Sequence, residues 1–166
     1  ILLSCTQRDT DSGGEAGVYM SEVQAFRLLE QATFGPMDSD VKEVQSLGPV
    51  QWVESQLNAG SAYQSSSDSH QTHLQRYKAI AKINYEVHGR TSDYQTAVWF
   101  ENVLHGKDQL RQRVAFALSE LFVISASKQR IRFRGDSLAS YYDILERNAF
   151  GNFRTIMGEV SKSPGM

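Results

Sequence analysis

Apolar residues recur every three to four positions along most of this chain, and glycine, proline or a polar run interrupts each stretch. That period belongs to amphipathic helices. In "SEVQAFRLLEQATFGP", Val23, Phe26 and Leu29 recur at helical spacing, Ser21 with Gln24 makes a capping-box pattern, and Gly35-Pro36 stops the run. A second helix is expected over residues 39–47, ended by Gly48. Pro49 suits the first turn of a third, with Val50, Val53 and Leu57 on its apolar face and Trp52 beside them. Residues 58–69 turn to Ser, Gly, Asn and Asp and read as a loop. A longer helix over 71–88 places Leu74, Tyr77, Ile80 and Ala81 on one side, and the next, over 92–104, carries Tyr94, Val98 and Trp99.

The strongest helical pattern is "DQLRQRVAFALSELFVIS". Asp108 is placed to cap it, and Leu110, Val114, Ala117, Leu118 and Leu121 recur at helical intervals. It is apolar over much of its circumference, which predicts a central place; Arg111, Arg113 and Glu120 would then need partners if buried. Helices over 138–148 and 153–162 follow, the first capped by Asp136 or Ser137 and the second by Asn152. Only "RIRFR" alternates as a strand would. The fold class predicted is all-α, a multi-helix bundle of about eight helices.

Composition narrows the function classes. The 166 residues are 40% hydrophobic, which is the size and make-up of one globular domain. Seventeen basic against nineteen acidic residues give a net charge of -2, so no global field draws the chain to nucleic acid, and no nucleic-acid partner is expected. No internal stretch approaches the roughly 20 apolar residues that cross a bilayer.

The lone cysteine permits no intrachain disulfide and no multi-thiolate zinc site. Leu2-Leu3-Ser4-Cys5 resembles the lipobox that ends a bacterial lipoprotein signal peptide, which makes Cys5 the expected lipidation site. Acyl chains there would hold the protein at a membrane, since each buried CH₂ contributes about 0.8 kcal/mol. The layout expected is the end of a signal peptide over 1–5, a flexible polar tether over 6–20, and a helical domain over 21–166 that is the N-terminal portion of a larger protein. The expected location is the bacterial cell envelope, with the domain facing periplasm or exterior.

Candidate chemistry is sparse. "GDSL" at residues 135–138 spells a serine-hydrolase signature, but no buried strand precedes it and all four histidines lie before Ser137. Helix capping accounts for it better. Arg134-Gly135-Asp136 spells an integrin-type tripeptide, too short to carry meaning. His70 and His73 have helical metal-ligand spacing but lack a third ligand nearby, so they are expected to be solvated, with no metal or cofactor. Lys128, Arg130, Arg132 and Arg134 share one side of an extended segment; they could bind an anionic ligand, or simply face water while Ile131 and Phe133 dock inward.

"AFRLLEQATFGP", "WVESQL", "QLRQRVAFALSELFVIS" and "YYDILERNAFGNFRTIMGEVSKSPGM" together resemble, in this order, the domain of unknown function 1800 (DUF 1800) family of mostly secreted or envelope-directed bacterial proteins. "NAFGNFR" after "Y-x-D-x-L" is the most specific piece. Its own chemistry reads as a helix-helix corner: Asn148 and Gly151 ending one helix in left-handed geometry, Phe150 and Phe153 clamping the turn, Arg154 bonding the preceding carbonyls. The resemblance implies no activity. Many relatives carry "W-H-N-H-F" where this chain has Leu118, Ser119, Glu120, Leu121 and Phe122. Two functions are therefore expected as alternatives. One is a lipid-anchored, non-catalytic domain that binds another protein or a cell-surface polymer. The other is an envelope hydrolase completed by a C-terminal part, with Glu120, Asp143 and Arg154 as its nearest catalytic candidates.

Overall fold

The computed structural model describes residues 20–59, 72–84, 91–125 and 134–166. Cys5, residues 6–19 of the tether, His70, and Lys128, Arg130 and Arg132 of the basic segment lie outside the described residues, while Met20 packs against the α1–α3 core. Among the described residues there are eight helices: α1 (Glu22–Ala32), α2 (Asp38–Leu47), α3 (Pro49–Asn58), α4 (His73–Asn84), α5 (Thr91–His105), α6 (Gln109–Leu121), α7 (Gly135–Arg147) and α8 (Phe153–Val160). No strand occurs among the described residues. The class is all-α, as the periodicity requires.

The punctuation acts largely as the sequence predicts. Ser21 and Gln24 form a reciprocal capping box at the start of α1. Gly48, at φ +79°, ends α2 and immediately starts α3, where Pro49 takes the first turn. Asn152 caps α8 by accepting from the Arg154 N–H at 2.8 Å.

The buried faces differ from expectation in three helices. α1 buries Ala25, Leu29 and Ala32 against Val41, Val44 and Trp52, while Val23 and Phe26 are 67% and 47% exposed. α3 buries Trp52 and leaves Val50 and Leu57 outside. Small alanines on the inner face let the α1 and α2 axes approach closely, and the larger residues fall on the outer face. In α6 the buried residues are Arg111, Gln112 and Ala115, and Leu121 is exposed. That helix is nonetheless central: it packs on α1, α3, α5 and α7, with Leu110 against the α1–α3 core and Leu118 against the α7–α8 core.

α7 is the second hub, in contact with α4, α5, α6 and α8. Tyr141 and Leu145 join Ile156 and Val160 on one side, and Ala139 meets Tyr77 and Val98 on another. Phe34, after α1, stacks edge-on against Trp99 and Phe116, tying that turn to α5 and α6.

Two end assignments change. Asp136 and Ser137 lie inside the first turn of α7, whose N-cap is Arg134, rather than capping a later start. At the α7–α8 corner Asn148 has φ -99°, and Gly151 is not among the glycines of positive φ. The corner closes through side chains instead: Asn148 Nδ2 donates to the Ile144 carbonyl at 2.9 Å and to Glu159 at 3.0 Å, and Arg147 pairs with the same carboxylate.

Leu29 and Val23 offer a direct check of the α1 face. Leu29→Ala should lower unfolding free energy by about 2–5 kcal/mol, and Val23→Ala by no more than about 0.5 kcal/mol, in urea titrations followed by helical circular dichroism.

Candidate functional site

The start of α4 carries four N–H groups with no helical acceptor. Here each has a partner. His73 N–H donates to Asp143 Oδ1 at 2.8 Å and Leu74 N–H to Asp143 Oδ2 at 3.2 Å. Gln75 N–H donates to Thr72 Oγ1 at 3.1 Å and Thr72 N–H donates back to Gln75 Oε1; Arg76 N–H then makes the first helical bond, to the Thr72 carbonyl. Asp143 thus lays a carboxylate across the positive end of the α4 dipole from a helix 70 residues away.

Asp143 and Glu146, three apart on α7, face the same side. Between them lies the His73 ring, fully buried, with Nδ1 3.4 Å from Asp143 Oδ1 and 3.0 Å from Glu146 Oε2. Glu146 Oε2 sits off the line of the Nδ1–H bond, so that nitrogen makes no hydrogen bond, and Glu146 Oε1 is buried without one. On the far side of the ring, Nε2 is 3.2 Å from Asn102 Nδ2. Arg76 donates to Asn102 Oδ1 at 3.2 Å and pairs with Glu101 at 3.0 Å, which turns the amide NH₂ toward the ring. The neutral ring accordingly accepts at Nε2 and keeps its proton on Nδ1, facing the carboxylates.

Burial alone would lower the His73 pKa, but the Asp143 and Glu146 carboxylates outweigh it and hold the ring above its usual 6.5. A second proton enters at Nε2 and requires the Asn102 amide to turn over. Tyr142 closes the site, its ring centroid 4.6 Å from that of His73. Burial pushes its phenol well above the usual 10, with the Glu146 and Asp108 carboxylates adding to the rise and Trp99 opposing it. Asp108 continues the buried polar layer through Gln112, at 3.3 Å, rather than capping α6 with its side chain.

This placement corrects the expectation that His73 is solvated. It also separates the catalytic candidates. Asp143 is buried beside His73, whereas Glu120 and Arg154 are exposed. The α7 end is served by Arg111, not Arg154: Arg111 donates to the Glu146 carbonyl at 3.4 Å and lies over Phe150, its guanidinium 4.6 Å from the ring centre. Arg134, the one described member of the basic segment, is exposed and pairs with Asp136 at 3.6 Å.

A separate cleft of about 480 Å³ opens between the turn after α1 and the α5–α6 turn. Phe34, Met37 and Leu104 contribute apolar surface, and Asp40, Glu43, His105 and Lys107 contribute charge or polarity.

The family model described as "Protein of unknown function (DUF1800)" matches residues 27–166. The chain belongs to the DUF1800 family. No curated protein and no solved structure matches it. The DUF1800 match spans both hubs and includes His73, Asn102, Asp143 and Glu146. Sequence reasoning weighed His73 and Asp143 separately and missed Glu146. The available signal was the pair of acids three apart in "DILE" on a predicted helix, but no local pattern says which helix they face.

Two outcomes follow from this geometry. Asp143→Ala should cost about 3 kcal/mol or more, because it strips two donors and leaves His73 and Glu146 buried without their partner. The His73 contribution has a definite sign: a pKa raised by folding stabilises fully below 6.5 and is lost as pH rises through the folded value. The urea midpoint of the wild type should therefore fall across that window, and His73→Gln should flatten the fall.

Proposed function

We propose that this DUF1800 protein is a bacterial cell-envelope lipoprotein whose helical domain is a non-catalytic binding or scaffold module. Lipid on Cys5 holds it at the membrane, with the domain facing periplasm or exterior, and its partner is another envelope protein or a cell-surface polymer. One contrast carries the reading. Among the described residues the tightest set of ionisable groups, His73, Asp143 and Glu146, is buried and holds α4 to α7, while the cleft lined by Phe34, Met37 and Leu104 combines apolar surface with the polar groups of Asp40, Glu43, His105 and Lys107. A hydrolase would need its acid, base or nucleophile within reach of substrate. Glu120 and Arg154 are exposed, whereas Asp143 is buried against His73.

The N-terminal residues support the anchor. Leu2-Leu3-Ser4-Cys5 offers an aliphatic residue three before the thiol and a small one next to it, and the polar stretch that follows is the composition of a tether.

Labelling with a radioactive fatty acid, on the full precursor expressed in a bacterial host, tests the anchor. The wild type should take up label and sediment with membranes, and Cys5→Ala should do neither. Equal labelling of the two removes the lipid from the proposal.

A further inference from the structure

We infer that His73, Asp143 and Glu146 form a binding site for one divalent transition cation, of which zinc is the natural probe. The inference stands on geometry and does not rest on the lipoprotein reading above.

Two atoms that are each about 2.1 Å from one ion lie roughly 3.0 Å apart at octahedral angles and 3.4 Å apart at tetrahedral ones. His73 Nδ1 is 3.0 Å from Glu146 Oε2 and 3.4 Å from Asp143 Oδ1, and one ligand atom from each residue lies within 4.8 Å of the others. Those are spacings of atoms converging on a shared point. The orientation agrees with the distances. Were this only a hydrogen-bonded triad, the Nδ1–H would aim at a carboxylate oxygen, yet Nδ1 has no such bond, and Glu146 Oε1 is also buried and unpartnered. Both atoms are deep in the protein, where an unmet polar group is costly. An ion on the Nδ1 lone-pair axis would satisfy that nitrogen and draw the Glu146 carboxylate into ligation.

The donor chemistry selects the class of cation. One imidazole with two carboxylates suits zinc and its first-row neighbours, whereas calcium takes six to eight oxygens. Two carboxylates and one dication also sum to zero charge, which suits a buried site better than two anions beside a neutral ring. Asn102 supplies the outer shell. With Nδ1 on the ion, the ring proton sits on Nε2, and the Asn102 amide turns to accept it through Oδ1; Arg76 then keeps its pair with Glu101. Because Asp143 simultaneously caps α4, the ion would lock α4 onto α7, a structural role.

The test uses the whole chain, stripped with chelator and titrated with zinc chloride by calorimetry, with cobalt(II) as an optical probe. One equivalent should bind, raise the thermal midpoint, and give a cobalt spectrum of nitrogen and oxygen ligation. Glu146→Gln, similar in size, should weaken the affinity by roughly tenfold or more. Asn102→Asp, which offers the imidazole a carboxylate, should tighten it, and decides the matter if Glu146→Gln does not fold. Failure of the wild type to bind, or zinc affinity unchanged in Glu146→Gln or, should that variant not fold, in Asn102→Asp, would overturn the inference.

Discussion

The carboxylate of Asp143 is the interaction on which the rest of this bundle depends. It accepts the first two N–H groups of α4, and Thr72 takes the remaining end of the helix, so a buried helix start is left with no orphan donor. The same carboxylate stands beside His73, whose ring fills the space between α4, α5 and α7. Without that cap, α4 would have to solvate its first turn, and withdrawing it would uncover Tyr77 and Ala139 of the core beneath. The satisfied and buried first turn of α4 thus follows from one side chain on another helix, and the apolar contacts of Tyr77 with Val98 and Ala139 complete its placement.

α7 can supply that side chain because it is held on its other faces. Tyr141 and Leu145 pack on α8, the Tyr141 hydroxyl donates to the Phe122 carbonyl at 2.6 Å, and Arg111 of α6 reaches the Glu146 carbonyl. Arg111 also donates to the Ala59 carbonyl at the end of α3. A single buried guanidinium therefore joins the N-terminal trio of helices to the hub. Its planar fork can serve two carbonyl groups at once, which a lysine could not do in the same geometry.

How much of this was legible depends on the range of the interaction. Ser21 with Gln24, Pro49 after Gly48, and Asn152 before Phe153 are decided within a few residues, and each was readable from the chain. Which face of a helix turns inward is decided by its neighbours. In α1 the pattern pointed to Val23 and Phe26, but the close approach of α2 selects Ala25 and Ala32. The α7–α8 corner was legible as a corner, though not in its chemistry, since Glu159 is supplied from the next helix to close it. The His73 cluster was least legible. Its acids are three apart on one helix, but their partner is about 70 residues earlier, beyond the reach of any local rule.

That division bears on function. A polar set can be costly to bury and still persist when its members are linked, and here the His73 N–H bonds Asp143 while the ring Nε2 meets Asn102 and Asn102 meets Arg76, a series that crosses three helices. Such a chain specifies one packing of α4, α5 and α7 more sharply than apolar contact alone, because a shifted register would strand its donors and acceptors. On the proposed binding role, recognition would fall to the outside of the bundle. The turn after α1 and the α5–α6 turn are fixed from behind by Phe34 against Trp99 and Phe116, and Gln109 holds the second turn through the Val103 and Gly106 carbonyls. The cleft between them therefore lies between two turns that are each held from behind, which is what the proposed binding role would require of it.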